Sequence, residues 1–518
     1  MVQLILTAIF VVFLFYYYAI KPLNYWKEKG VKQLKPKWLF GDTWTTVFQK
    51  ESIGEMLINL YNAAGKSRYL GIYQFTTPVL FIKDLDLVKQ IAIKDFDHFM
   101  DHRSVINEDA DPLVAKNLFS ITGQKWKDLR AILTPSFTAS KLKTMYHLIT
   151  ECGETFANFF LKKNQDSMEI EMKDVFLRYC NDVITSIAFG IKMDSLEEPD
   201  NEFFLTAKTA TNFNGFWVNV RLLATLIFPK LCTFLGVPLF DRYVRQFFFS
   251  AVDETIKTRE EKGIVRPDMI HLLLEARKEM AQKSEKSAVP GKTTIQKLSN
   301  IDIAAQAMLY YLAGFDSVST TMCFMGYELA LNPDIQKRLR AEVEETLKKC
   351  NGKVTYEEIG NMKYMDMVLS ETLRKWSVPA PVDRVCTKPY TIPPVTPDEK
   401  PIHLQKGSVI WFPSFAFHRD PNIYSNPEQF DPERFNDENK DKINPCAYLP
   451  FGVGPRSCIG LRFGRLEIKV VFIYLLANFE LKPCAKTQIP IKLAKNQFGL
   501  AYVNNFWVNL KRVQSKLC

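Results

Sequence analysis

Phe451-Gly452-Val453-Gly454-Pro455-Arg456-Ser457-Cys458-Ile459-Gly460 is the stretch on which the reading of this chain turns. Its glycines and proline force a tight turn, an arginine stands two residues before the thiol, and a helical run begins at Leu461. That order puts Cys458 beside a helix N-terminus, where backbone N–H groups and the helix dipole favour a thiolate over a thiol. A thiolate held this way suits the axial position of a haem iron, where it pushes electron density toward O–O cleavage. A lone cysteine among glycines is more often a buried thiol in a turn. The other nine of the ten cysteines, irregularly spaced and without a CxxC, read that way.

The pattern FxxGxRxCxG from Phe451 to Gly460 is similar, at every fixed position, to the haem-binding signature of the cytochrome P-450 family. Further elements of the resemblance follow in order. Glu371-Thr372-Leu373-Arg374 resembles the family's ExxR helix; residues three apart share a helix face, so the carboxylate can hold the guanidinium in a fork. Pro432-Glu433-Arg434-Phe435 resembles the segment whose arginine, here Arg434, joins that pair. Trp126 and Arg130 match a WxxxR element whose side chains donate to a haem propionate. Arg456 and Arg384, the latter in Pro379–Arg384, are the other propionate partners that the resemblance implies. Ala313-Gly314-Phe315-Asp316-Ser317 resembles the oxygen-activating motif. There Gly314 lets haem and O2 approach the helix, and Asp316 and Ser317 relay protons. The usual alcohol is threonine; here it is Ser317, a freer rotor.

Outward from these motifs the chain reads as mainly α with small β-sheets, which is the cytochrome P-450 fold that the resemblance implies. Ile301–Leu331 is apolar on both faces, as a helix through a large core would be, and Ile335–Lys349 has apolar residues at helical spacing. Strand-like runs occur at Tyr69–Phe75, Val79–Ile82 and Val409–Phe412 and near the C-terminus. The polar stretch Ala281–Thr294 reads as an exposed loop within one large domain.

Leu4–Ile20 carries no charge; at 1.5 Å per residue such a helix reaches about 26 Å, close to one hydrocarbon core. No lysine or arginine precedes it, while Lys21, Lys27, Lys29, Lys32, Lys35 and Lys37 follow, and Tyr16–Tyr18, Tyr25 and Trp26 resemble an interfacial aromatic belt. The expected organisation is a single-pass transmembrane anchor over 1–20, a basic, proline-containing linker over 21–41 and a catalytic domain over 42–518. The positive-inside rule places that domain on the cytosolic side, and the resemblance places it at the endoplasmic reticulum.

Composition excludes several classes. With 47% hydrophobic and 24% charged residues, neither disorder nor a small disulfide scaffold is expected. The net charge of +10 is spread among acidic residues, so no nucleic-acid stripe stands out. His98 and His102 are four apart but lack the glutamate of a zinc helix, and there is no P-loop.

Electrons must then come from elsewhere. The resemblance implies an NADPH-dependent cytochrome P-450 reductase, docking near Lys125, Lys127 and Arg130, with cytochrome b5 as a second donor and haem b as cofactor. The expected activity is insertion of one oxygen atom of O2 into lipophilic molecules. Phe213, Phe216, Phe315, Val378 and Phe498 are the pocket candidates. Arg266–Ile270 and the aromatic-rich Phe213–Phe249 resemble the insect microsomal branches, family nine in particular, that metabolise foreign compounds. The alternatives are oxidation of endogenous lipids or hormones, a reductase-independent isomerase or dehydratase, and a non-enzymatic haem sensor or lipophile carrier.

Overall fold

A computed structural model describes residues 1–518 except 104, 105, 107, 213–215, 267, 287–297, 378–380, 398, 496–504 and 514–518. The elements that position the site are the helices α1 (Val2–Phe15), α2 (Gly123–Leu133), α3 (Ala139–Lys162), α4 (Met172–Ile184), α5 (Asn300–Leu331), α6 (Lys363–Lys375) and α7 (Leu461–Asn478). Helices dominate and the strands are short, as the sequence patterning predicts.

At 32 residues, α5 is about 48 Å long and runs through the larger hydrophobic core. It starts at a capping box: Ser299 Oγ accepts the Asp302 amide at 3.2 Å, and Asp302 Oδ2 accepts the Ser299 amide at 2.9 Å. It stops at Asn332, before Pro333, where the proline ring cannot continue the backbone ladder. Helix α4 lies across it, and the approach is close: a Cβ built at Gly326 would sit 2.6 Å from the Met172 sulfur. Gln306, fully buried on α5, holds the loop beside it by accepting the Leu118 amide at 2.9 Å and donating to the Lys116 carbonyl at 3.0 Å.

The smaller core lies against a sheet in the order β1 (Tyr69–Gln74), β2 (Thr77–Ile82), β7 (Val409–Phe412), β4 (Val382–Val385). Strands β1 and β2 are antiparallel, β2 and β7 parallel, and β7 and β4 antiparallel. This sheet presents Arg384 from β4. A second sheet joins β3 (Ser167–Glu171), β9 (Trp507–Arg512) and β8 (Phe479–Lys482), and a third pairs β5 (Tyr390–Ile392) with β6 (Ile402–Leu404).

The N-terminal helical run, Val2–Glu28, contains an 18-residue window of mean hydropathy 2.1 and is long and apolar enough to cross a membrane, with its first turns exposed. Its end departs from the aromatic-belt expectation. Trp26 is 1% exposed, and its Nε1 donates to the Ile72 carbonyl of β1 at 3.1 Å. The segment after the apolar run is therefore stitched to the sheet, because an indole can bury its ring only where its N–H finds a partner. A second departure is Ala281–Lys286, which continues the helix Met269–Lys286, since alanine, glutamine, lysine and glutamate are all good helix formers. The rest of that expected loop, 287–294, lies outside the described residues.

Candidate active site

The cysteine loop is built around one glycine. Gly454 has φ +72°, and a Cβ there would fall 2.1 Å from the Ala92 carbonyl oxygen, so no side chain fits. The Cys458 amide donates to the Phe451 carbonyl at 2.9 Å and closes the loop, and α7 begins just beyond Gly460. Burial pushes the Cys458 thiol up, while the amides of Gly460 and Leu461 and the charge of Arg130 pull it toward thiolate. A bound metal cation settles such a contest, since a coordinating thiol is deprotonated outright.

Cys458 opens on a cavity of about 460 Å³ whose wall also includes Phe451, Gly460, Ala313, Gly314, Ser317 and Val318. Four basic side chains line the same cavity: His102, Arg130, Arg384 and Arg456. Arg384 is fully buried; its Nη1 donates to the Asp383 carbonyl at 2.7 Å and its Nη2 to the Val453 carbonyl at 2.8 Å, and its Nε has no partner among the described residues. Burial pulls its pKa down to about 10. Arg456 is held by the carbonyls of Met100 and Ile121, each at 2.8 Å, and lies 4.1 Å from the centre of the Trp126 ring. Burial lowers it to about 9, against the pull of Asp101. Trp126 is buried and also lines the cavity. The Tyr310 hydroxyl, buried on the same wall, has no partner either.

These residues fit a haem. Buried cations with an unpartnered Nε call for an anionic ligand, as the two propionates of a porphyrin are, and the apolar wall suits the macrocycle. Among the described residues no group of three or more His, Cys, Asp or Glu gathers to hold a metal. A haem iron bound here would take Cys458 as its protein ligand.

Behind the loop sits a second buried cluster. Glu371 and Arg374, both fully buried on α6, form a two-pronged pair: Arg374 Nε donates to Oε2 and Nη2 to Oε1, each at 2.7 Å. Arg434 Nε lies 3.4 Å from Glu371 Oε1, which also accepts the Asp431 amide at 2.9 Å. Arg374 Nη1 donates to the His418 carbonyl at 2.8 Å. The Leu449 amide donates to His418 Nε2 at 2.9 Å, so the proton sits on Nδ1, 3.0 Å from Ser377 Oγ. Burial, with Arg374 and Arg419 adding, pushes the imidazole pKa down to about 3 and keeps it neutral. Glu371, Arg374, His418 and Leu449 thus form a chain ending two residues before Phe451.

The motif on α5 is divided between two faces. Ser317 lines the cavity and its Oγ donates to the Ala313 carbonyl at 2.6 Å. Asp316 is turned toward α4, half exposed, with Oδ1 2.8 Å from Lys173 Nζ. Lys173 also donates to Ser319 Oγ at 2.9 Å and Thr320 Oγ1 at 2.6 Å. The cavity takes the face of α5 formed by Ala313, Gly314, Ser317 and Val318, and Asp316 lies outside that face. Gly314 meets a different neighbour from the one expected: a Cβ there would fall 2.5 Å from Ile184 Cδ1, so its bareness serves the α4–α5 crossing as well as the cavity.

Phe315, expected in the pocket, is fully buried and packs against Phe204 and Tyr311, with ring centroids 6.1 and 5.9 Å away. It points into the core because it stands one position from Gly314 and two from Ser317. Arg130, expected on the docking face as well as at the propionates, lines the cavity, which leaves exposed Lys125 and half-buried Lys127 outside. Lys127 is paired with Asp97 at 2.7 Å. Phe213, Val378 and Phe498 lie outside the described residues; Phe216 opens the helix Phe216–Ile227, and nothing is described of its side chain.

Two residues escape the sequence reading. His102 lines the cavity with Nδ1 2.8 Å from Asp383 Oδ1 and its ring stacked on Phe119. His418 holds the loop. With six histidines in the chain, their scarcity was the only signal.

A helical body with one cysteine donor beneath an arginine-walled apolar cavity defines the class of haem-thiolate proteins. A model of the cytochrome P450 family matches residues 32–507, and the chain belongs to that family, whose members are haem monooxygenases. It is 41% identical to cytochrome P450 9e2 of Blattella germanica, over 97% of this chain and 96% of that protein. It is 39% identical to the probable cytochrome P450 9f2 of Drosophila melanogaster, over 96% of each. To cytochrome P450 6k1 of Blattella germanica it is 37% identical, over 96% of this chain and 94% of that protein.

Proposed function

We propose that this protein oxidises lipophilic small molecules, foreign compounds such as plant toxins or insecticides above all. Electrons would pass from NADPH through a membrane-bound flavoprotein reductase, with cytochrome b5 as a second donor. The observation that carries the reading is the placement of Cys458 and Ser317 on one apolar cavity. The cofactor is haem b, which when bound supplies O2 activation and one-electron chemistry. Cys458 is its thiolate ligand, with the Gly460 and Leu461 amides favouring the charge. Arg130, Arg384, Arg456 and Trp126 hold the propionates, joined by His102. Phe451, Ala313 and Gly314 shape the apolar seat.

The overall reaction, substrate with O2, two electrons and two protons giving hydroxylated product and water, needs protons inside an apolar cavity. Ser317 Oγ holds the nearest one, secured on the Ala313 carbonyl. Asp316 connects it to solvent: its half-exposed carboxylate reaches water on one side and Lys173 on the other. Delivery then requires Asp316 to leave Lys173 and turn toward Ser317. The apolar helical run Val2–Phe15 anchors the chain in the endoplasmic reticulum membrane, with the catalytic body cytosolic. The exposed Trp217, Phe228 and Phe234 lie against the lipid and admit substrate from it.

Purified protein, reduced with dithionite and treated with CO, is expected to give the red-shifted Soret band of thiolate-ligated haem. A spectrum of histidine-ligated haem would refute the assignment. A spin-state screen across plant toxins, synthetic insecticides and fatty acids separates substrate classes; a response to fatty acids alone would favour an endogenous lipid role. Turnover without reductase or NADPH would favour an isomerase or dehydratase.

A further inference from the structure

A second cavity of about 230 Å³ adjoins the first, and Phe119 and Leu309 belong to the walls of both. Leu239, Phe240, Met308 and Leu312 make its wall apolar. The polar group of Asn117 is committed, because its Oδ1 accepts the amides of Phe119 at 3.1 Å and Ser120 at 2.9 Å. Among the described residues on that wall, Arg103 is the one ionisable side chain.

Arg103 is held in place without being neutralised. Its amide donates to Asp383 Oδ2 at 2.8 Å, which ties this position to the carboxylate that also holds His102. Its Nη1 donates to Gln74 Oε1 at 2.7 Å and its Nη2 to Thr77 Oγ1 at 3.3 Å, both neutral acceptors. Two of five guanidinium N–H donors are thereby used, and Nε makes no hydrogen bond among the described residues. Asp383 is felt only at longer range, and burial outweighs it. A partly buried guanidinium that has, among the described residues, spare donors and no carboxylate in contact favours an anionic acceptor, and a carboxylate matches its fork.

We propose that this second chamber receives the carboxylate end of elongated lipophilic acids, leaving their apolar body to reach the cavity above Cys458. The proposal rests on the reading of the protein as an oxidase of lipophiles and adds a preference for acids among them.

The test uses the full-length haem protein in detergent, titrated with dodecanoic acid, methyl dodecanoate and dodecanol, with binding read by the spin-state shift and by equilibrium dialysis. The wild type is expected to bind the acid about tenfold or more tightly than the ester, the ratio of one charge-assisted hydrogen bond. Arg103→Gln is expected to erase that preference with ester affinity unchanged, and Arg103→Lys to keep part of it. Equal wild-type affinity for acid and ester, an equal loss of both in Arg103→Gln, a preference that survives Arg103→Gln, or binding of none of the three would overturn the proposal. The CO band of each protein keeps this result apart from the haem-thiolate assignment: a wild type with the band intact but no acid preference counts against the Arg103 chamber alone.

Discussion

The imidazole of His418 accepts the amide of Leu449 at 2.9 Å, and its own carbonyl accepts Arg374 Nη1 at 2.8 Å. One residue therefore couples the Glu371–Arg374 pair to the segment that enters the cysteine loop. A buried ion pair is weak evidence for stability by itself. Here its geometry is spent on orienting a loop whose thiol must meet a metal.

His418→Phe should fill the site and keep the backbone carbonyl that accepts Arg374 Nη1, but leave the Leu449 amide without its acceptor. An unsatisfied buried donor costs about 1–3 kcal/mol. The expected result is a lower apparent melting midpoint with reduced haem retention, measured as haem per polypeptide after gel filtration. Full retention with an unchanged midpoint would show that the chain through His418 is idle.

Gly454→Ala should be worse than any side-chain loss in the loop. Its Cβ would overlap the Ala92 carbonyl, which is backbone and cannot swing aside. The left-handed φ adds about 1–3 kcal/mol of strain. Expression should give protein without haem, whereas Gly460→Ala, whose Cβ would meet only Cys458 Sγ at 3.9 Å, should still load.

Ser317→Ala should raise NADPH consumed per product formed, by about tenfold, because a positioned proton donor contributes roughly 10²–10⁴ in rate and water replaces it only in part. Ser317→Thr should keep the coupling. Lys173→Met releases Asp316 and should shift the pH profile of turnover while leaving ligand-induced spectra alone. Asp316→Asn should slow turnover at every pH. Equal coupling in wild type and Ser317→Ala would remove the hydroxyl from the proton path.

Two buried groups give stability opposite slopes with pH. The His418 pKa is depressed to about 3, so its neutral form stabilises the fold above the ordinary value near 6.5, and that contribution is lost as pH falls toward 3. Glu467, fully buried on α7, is raised by burial to about 8, with the Cys180 thiol beside it pulling the other way. Its protonated form is stabilising below the ordinary value near 4.5, and that contribution is lost as pH rises through 8. Between pH 4.5 and 6.5 the slopes oppose each other; from about 6.5 to 8 only the Glu467 slope of this pair remains, on the order of 2 kcal/mol. Melting midpoints across pH 5–8 should show Glu467→Gln gaining on the wild type as pH rises. A constant offset would mean that Glu467 is already ionised in the fold.

What the sequence determined by itself is local. The tight turn before Cys458 follows from Gly452, Gly454 and Pro455 standing together, and Glu371 and Arg374 meet because residues three apart share a helix face. The length and apolarity of the N-terminal run and of α5 are likewise properties of contiguous residues. Tertiary structure decided what depends on which face of an element meets which neighbour. Asp316 and Ser317 are adjacent in sequence, yet Lys173 on α4 draws one away while the cavity takes the other. Phe315 joins the core, Trp26 leaves the membrane belt for β1, and His418 acquires its place by touching Arg374 and Leu449, residues distant along the chain. Spacing reports the turns of a helix; only the packing of α4, α5 and the sheet says what each turn faces.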